Sequence, residues 1–194
     1  MRFSIKYGVA AFALALAACD SGQPPAPGPE PVPAPSAVET TRTSAPSASN
    51  SNQLTPAGLG AIALGKPPPT TGEVGLREDD VQLSESCRTL STGRYPDIYV
   101  MSDGERVTRI TVMRDSPIQT ERGIGLGATE ADVRRAYPDA VEAAHEYIVT
   151  PGKNLTWSPQ GSEAGLRFEI DGEGKVTLIH AGLPPWLGNP EGCA

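Results

Sequence analysis

Apolar and polar positions divide the chain into three regimes. Residues 9–18 form an unbroken apolar run of ten. Residues 20–57 show no apolar period at all. From residue 58 onward the pattern becomes periodic in short stretches. Leu166, Phe168 and Ile170 alternate with Arg167, Glu169 and Asp171, and Val81, Leu83 and Cys87 alternate with Gln82, Ser84 and Ser86. Period-two alternation predicts strands with one face on a core and the other in water. Leu155 and Trp157, after the Pro151-Gly152 turn, predict another short strand. The period changes at Thr129-Glu130-Ala131-Asp132-Val133-Arg134-Arg135-Ala136-Tyr137-Pro138. There Val133, Ala136 and Tyr137 share one helical face, Thr129 is a good N-cap with Asp132 three residues on, and Pro138 excludes Tyr137 from the α region. These elements predict an α+β domain over 58–194, an antiparallel sheet carrying one or two short helices on one face.

The domain also resembles itself. Ile62-Ala63-Leu64-Gly65 is answered by Ile124-Gly125-Leu126-Gly127, each read as a strand end. Ser102-Asp103-Gly104-Glu105 leading to Val107-Thr108-Arg109-Ile110 is answered by Asp171-Gly172-Glu173-Gly174 leading to Val176-Thr177-Leu178-Ile179. The Asp-Gly pairs supply the turn chemistry of tight hairpins. Self-similarity of this kind predicts an imperfect internal duplication with units of about 58–115 and 120–194. The first unit's counterpart of the helix, residues 70–77, follows Pro67-Pro68-Pro69 and contains Gly72 and Gly75, so it is a degenerate helix at best.

The N-terminal run changes the picture of where this domain works. Arg2 and Lys6 precede a hydrophobic stretch too short to span a bilayer, which ends in Leu16-Ala17-Ala18-Cys19. That ending resembles the lipobox of bacterial lipoproteins. The resemblance implies a signal peptide at 1–18, cleavage before Cys19, and lipid (palmitate among the chains) on that cysteine, holding the mature chain on the membrane's exported, periplasmic side. Stable anchoring is what several buried acyl chains would give. Asp20 resembles an inner-membrane retention signal of enteric bacteria and leans the assignment toward the inner membrane, with the outer left open. Residues 19–57 then form a linker rich in Pro, Ala and Ser, polyproline-like over 24–35, which buries too little surface to order itself.

Charge and candidate chemistry exclude more than they suggest. Losing Arg2 and Lys6 with the leader takes the formal charge from −7 to −9. Such acidity argues against a nucleic-acid partner and against docking on anionic lipid by charge alone. With Cys19 lipidated, Cys87 and Cys193 remain as an even pair in an oxidising compartment, predicting a disulfide. The only histidines are His145 and His180. No three-histidine zinc site can form, and no His-Glu-x-x-His or Gly-x-Ser-x-Gly is present, so no catalytic residue, metal site or cofactor is assigned. His180 reads as structural or partly exposed, and His145 as part of a solvated loop beside Glu142 and Glu146. Gly123-Ile124-Gly125-Leu126-Gly127 lacks the spacing of a dinucleotide fingerprint and reads as a tight turn into the helix. The apolar segment Ala181-Gly182-Leu183-Pro184-Pro185-Trp186-Leu187-Gly188 is either a strap held across the sheet by Cys193 or, if exposed, a partner surface.

Taken together, the repeat, the hairpins and the closing Glu191-Gly192-Cys193 resemble a broad group of bacterial envelope lipoproteins. More distantly they are similar to the tandem β-lactamase-inhibitor-protein fold and to the small lipoprotein of outer-membrane β-barrel assembly. The resemblance implies a non-catalytic protein-binding or scaffolding module whose partner is an envelope protein. Trp186, Trp157 and Tyr99 are the candidate contacts, with Tyr95 and Tyr147 further aromatics for a concave sheet face. The alternative is a secreted cell-wall enzyme or small-ligand binder, which would need converging carboxylates, for instance Glu163, Glu169 and Asp171.

Overall fold

The computed structural model describes residues 52–82 and 84–193. The leader, Cys19 and the linker up to residue 51 lie outside the described residues, as does Leu83. The fold begins before residue 58. Gln53–Thr55 forms β1, Gly58–Leu59 forms β2 and Ile62–Ala63 forms β3. With β8 (Gln119–Thr120) they make a small sheet in the order β3-β2-β1-β8, so the last residues assigned to the linker belong to the fold.

The principal sheet has eight strands: β4 (Arg77–Glu78), β5 (Arg88–Ser91), β6 (Ile98–Ser102), β7 (Val107–Val112), β9 (Val141–Ala144), β10 (Lys153–Trp157), β11 (Gly165–Ile170) and β12 (Val176–Gly182). Their order is β4-β5-β6-β7-β12-β11-β10-β9, and every neighbouring pair is antiparallel. Two four-stranded meanders thus meet at β7 and β12. Both expected Asp-Gly hairpins form. Asp103 Oδ1 accepts the N–H groups of Glu105 and Arg106, and Asp171 Oδ1 accepts those of Glu173 and Lys175. Each hairpin sits beside a β-bulge, at Met101/Ser102 and at Glu169/Ile170.

The single α-helix among the described residues, α1 (Glu130–Ala136), forms where its caps predict. Thr129 Oγ1 accepts the Asp132 N–H while the Asp132 carboxylate accepts the Thr129 N–H, a complete capping box. Val133 and Tyr137 are fully buried. They pack with Leu155, Leu166, Phe168, Ile170, Ile179 and Ala181 on one face of the sheet, and Leu54, Leu59 and Ile62 of the small sheet join the same core. Tyr137 sits about 5 Å from both Trp157 and Phe168, in tilted aromatic contacts.

Three expectations need correction, and the degenerate helix allowed for at 70–77 is absent. The described residues of this stretch, 81–82 and 84–86, are in no strand, and Val81 is 71% exposed. The Gln82 side chain bonds the carbonyls of Asp79 and Thr89 and accepts the Thr89 N–H, so a carboxamide occupies the main-chain groups a strand would have used. Residues 124–127 are a turn rather than a strand end, with the Ile124 N–H on Thr120 Oγ1. Residues 70–77 form no helix: Gly72 and Gly75 both take positive φ, and the segment contributes only Val74 and Leu76 to the core. Finally, β7 and β11 have no wet face, every residue of both being buried, because residues 183–193 and the loop after β9 cover the side opposite the core.

Candidate functional site

Strand alternation sends one set of side chains away from the core, and register aligns them. Tyr99, Thr111, His180, Arg167 and Thr156 stand opposite one another across β6, β7, β12, β11 and β10. Glu169 and Asn154 form part of the next row, and Met101, Arg109, Gly182 and Gly165 the row on the other side. On a water-facing sheet these polar groups would be solvated. Here Arg109, Thr111, Asn154, Arg167, Glu169 and His180 are all buried.

What covers them is the C-terminal strap together with the loop after β9; the strap's middle is a short 3₁₀ turn, Trp186–Gly188. Gly182 and Gly165 provide a floor without side chains beneath it. A Cβ on Gly182 would lie 3.3 Å from Leu187 Cα, and one on Gly165 would lie 2.3 Å from Ser158 Oγ and 2.7 Å from the Trp157 carbonyl. Two guanidinium groups then hold the strap by its main chain. Arg109 Nη1 donates to the carbonyls of Trp186 (3.1 Å) and Asn189 (2.6 Å), and its Nη2 to the Tyr99 hydroxyl. Arg167 Nη1 donates to the Gly188 carbonyl at 2.7 Å. The far end is tied covalently, since Cys87 and Cys193 form the expected disulfide and pack with Met101, Tyr99 and Trp186. Gly165→Ala is expected to cost about 1–3 kcal/mol by overpacking this floor. Gly188→Ala, where nothing lies within 4 Å of an added Cβ, is the matched control, and urea unfolding of the pair measures the difference.

The charged centre of this face is Glu169. It accepts a hydrogen bond from His180 Nε2 (3.0 Å) and from His145 Nε2 (3.2 Å), with an Arg167 guanidinium nitrogen at 3.8 Å. Burial alone would raise the Glu169 carboxyl. The His180 bond and the charges around it, Arg167 among them, outweigh that and hold it below the usual glutamate range. His180 is pushed below the usual histidine value, first by burial and then by Arg109 and Arg167, against the pull of Glu169. A neutral His180 fits the bonding: Nε2–H donates to Glu169, and Nδ1 accepts the Thr111 hydroxyl at 2.9 Å. His145 corrects the solvated-loop expectation. Its side chain is only 5% exposed, and its Nδ1 accepts the N–H groups of Tyr147 and Ile148. Glu146 bonds Arg167 and Asn154, so the loop after β9 is fastened to the buried face by consecutive residues.

Thr111, His180 and Glu169 are connected like a hydroxyl nucleophile, a base and its orienting acid. Their exposures of 1%, 1% and 6% leave a substrate no path to the hydroxyl while the strap is in place. The arrangement is a hydrogen-bonded support for the sheet. Glu163, Glu169 and Asp171 do not converge: Glu163 is exposed, Asp171 caps its own hairpin and Glu169 is buried. Among the described residues, no group of three or more His, Cys, Asp or Glu is placed to hold a metal ion.

The proposed contact aromatics also part company. Trp157 lies on the helix side, half-buried, with the Arg122 guanidinium 4.3 Å from its ring centroid. Tyr99 and Trp186 lie under and within the strap, each half-buried. Tyr95 is in the core, while Tyr147 is 64% exposed. Arg109 and Thr111 were missed by sequence reading. The legible signal was a strand pattern with arginine at polar positions, combined with a downstream apolar segment long enough to cover it. No protein-family model matches the chain, and no curated protein or solved structure is significantly similar to it.

Proposed function

We propose that this chain is a lipid-anchored, non-catalytic protein-binding or scaffolding module of the bacterial envelope, built by imperfect duplication of a four-stranded unit. The observation that carries the reading is a hydrogen-bond pair that occurs twice. The Gly65 N–H donates to the Val107 carbonyl and the Val107 N–H to the Lys66 carbonyl, both at 2.8 Å. In the second half the Gly127 N–H donates to the Val176 carbonyl (2.8 Å) and the Val176 N–H to the Ala128 carbonyl (2.9 Å). Gly65 and Gly127 end the two Ile-x-Leu-Gly motifs, and Val107 and Val176 open the two Val-Thr-x-Ile motifs. Both glycines take positive φ, at 73° and 78°.

The central pairing follows the same rule. Val107 and Val176 are 69 residues apart. Moving the pair Ile110–Ala181 by that offset gives Ile179–Val112, which is also paired, and moving Thr111 gives its own partner, His180. This match of register about Thr111 and His180, with a bulge at a corresponding place in each meander, supports the duplication. A tandem antiparallel unit supports the likeness to inhibitor-type and assembly-type binding proteins, and that likeness is an analogy of fold. The sealed state of Thr111, His180 and Glu169 supports binding over catalysis. The lipobox-like Leu16-Ala17-Ala18-Cys19 supports the lipid anchor, and Asp20 supports an inner-membrane location.

The test is in-cell crosslinking of the full-length chain followed by mass spectrometry of what co-purifies from membranes. One or two envelope proteins near stoichiometry, lost on deletion of residues 52–194, is the expected result. Recovery of the crosslinked chain without a partner overturns the binding reading. A Cys19→Ala variant should leave the membrane fraction, and its retention there would overturn the lipid anchor.

A further inference from the structure

We infer that the tip of the β9–β10 hairpin is a membrane-contact surface, which seats Tyr147 and Val149 in the interfacial layer of the bilayer that holds the chain by its lipid. This rests on the lipid-anchor reading and gives the anchored domain a second contact with the same membrane. Ala144 ends β9 opposite Lys153, so residues 145–152 make the turn between the two strands. The outer part of that turn, Tyr147-Ile148-Val149-Thr150-Pro151-Gly152, is six consecutive residues without a charged side chain. Of the four large hydrophobic side chains exposed among the described residues, Tyr147 (64%) and Val149 (85%) stand here, two residues apart. Thr150 and Pro151 beside them are exposed as well. Apolar side chains gathered on an exposed turn mark a contact surface.

Main-chain N–H groups resist leaving water unless they are bonded internally. Here the N–H groups of Tyr147 and Ile148 both donate to His145 Nδ1, that of Gly152 donates to the Val149 carbonyl, and Pro151 has none to satisfy. Ile148 folds back over the turn, since a Cβ on Gly152 would lie 2.4 Å from its Cγ2. A turn shaped in advance loses less conformational freedom on contact. The charges that flank it are already paired within the domain: Glu142 with Arg134 and Lys153, Lys153 with Glu130, and Glu146 with Arg167. Glu191 accepts the Tyr147 hydroxyl. A tyrosine at a membrane boundary keeps its ring among apolar atoms and its hydroxyl on a polar partner, and Tyr147 is placed to do both.

The tether says why lipid is the occupant. Cys19 lies 33 residues before Asn52, the first described residue. A chain of that length spans at most roughly 110 Å, against roughly 40 Å for eight strands set side by side. The tip is therefore within reach of the bilayer that holds the anchor. Two apolar side chains are too few to hold a free protein on a membrane. Tethering makes their contact intramolecular, at the high effective concentration that the linker sets. A partner protein would have to supply a pocket matched to these two side chains, whereas a bilayer interface supplies apolar depth without one. The contact is apolar rather than electrostatic, as an acidic chain requires.

The experiment uses the lipidated full-length chain in vesicles of zwitterionic phosphatidylcholine. With Cys19 acylated and Cys87 bonded to Cys193, Thr150→Cys adds the one free thiol, which takes an environment-sensitive fluorophore. The same label at Val81→Cys, an exposed site in another loop, is the comparison. The label at 150 is expected to shift to the blue and to be quenched by nitroxide-bearing lipid, at low and high salt alike, while the label at 81 does neither. Adding Val149→Asp to the Thr150→Cys chain, at an exposed site where thermal unfolding should match the parent, is expected to remove both signals. A label at 150 that behaves like the one at 81, a contact abolished by salt, or indifference to Val149→Asp overturns the inference. A blue shift without nitroxide quenching also overturns it, because a second copy or another protein then covers the tip. Flotation with the vesicles is read on the same samples. A chain that floats with its tip in water overturns the contact and leaves the lipid anchor standing. A chain that does not float overturns the anchor reading and the contact with it.

Discussion

Replacing Cys87 and Cys193 with alanine is expected to lower the unfolding free energy by about 4–5 kcal/mol, because the bridge closes a loop of 106 residues in the unfolded chain. That figure comes from chain entropy alone. A second consequence lies in the folded state. The strap is held by the disulfide at one end and by Arg109 and Arg167 in its middle, and both guanidinium groups are buried beneath it. If the strap lifts, Arg109 and Arg167 each lose two carbonyl acceptors, and the apolar cover provided by Leu187 goes with them. Partial release is therefore unfavourable, and the strap is expected to stay docked until the sheet itself yields. Urea unfolding of the full chain, of the double alanine variant and of the reduced wild type, followed by Trp186 fluorescence in a Trp157→Phe background, measures both effects. A loss below about 1 kcal/mol would show that the bridge constrains little in the unfolded chain. Early Trp186 release well before loss of sheet signal would show that the arginine–carbonyl bonds do not hold the strap.

Much of this fold was legible because local chemistry and tertiary structure agree. The capping box at Thr129 and Asp132, the stop at Pro138, and the two Asp-Gly hairpins depend on neighbours within a few residues, and each appears where expected. The disulfide was legible from the number and context of the cysteines. The failures have a common cause, which is that the deciding partner is distant in sequence. Gln82 leaves the alternating pattern of 81–87 intact on paper but spends its carboxamide on Thr89. Arg167 and Glu169 alternate with Leu166, Phe168 and Ile170 as solvent-facing residues do. Arg167 is buried under a strap some 20 residues downstream and beside Glu146, and Glu169 is buried under His145 of the loop after β9, some 24 residues upstream. His145 follows β9 in a polar stretch, yet it reaches Glu169 across the sheet. A charged residue on the outer face of a strand looks the same in sequence whether water or a strap carbonyl receives its hydrogen bond. The glycines carried more than turn chemistry: Gly65 and Gly127 each donate a main-chain bond to the valine that opens a later strand, and Gly165 and Gly182 lie where the strap approaches closely.

The buried Glu169 cluster makes stability depend on pH, and the sign follows from which state binds the proton. His180 is held below its usual value in the folded chain, so below about pH 6.5 the unfolded chain binds a proton that the folded one does not. Its contribution is complete above the unfolded value and is lost as the pH falls toward the folded one. Glu169 is also held low, so its contribution is present above the ordinary glutamate range and is lost as the pH falls through its folded value. Both groups therefore act in the same direction. Stability should be flat near pH 7.5, decline from about pH 6.5, and decline again through the carboxylate range, each proton contributing up to about 1.4 kcal/mol per pH unit within its window. Asp103, Glu130 and Asp132 are held low as well and add to the second stage, so the test is a difference between variants. Glu169→Gln is expected to cost about 3 kcal/mol at neutral pH, because one amide oxygen must serve two imidazole N–H groups beside an arginine. The same variant should show a shallower acid decline than wild type. Urea unfolding at pH 7.5, 6.5, 5.5 and 4.5 on both proteins gives the two curves. Unchanged wild-type stability between pH 7.5 and 5.5 would overturn the neutral, buried assignment of His180. Parallel acid slopes would show that Glu169 is not a carboxylate whose ionised form the fold requires.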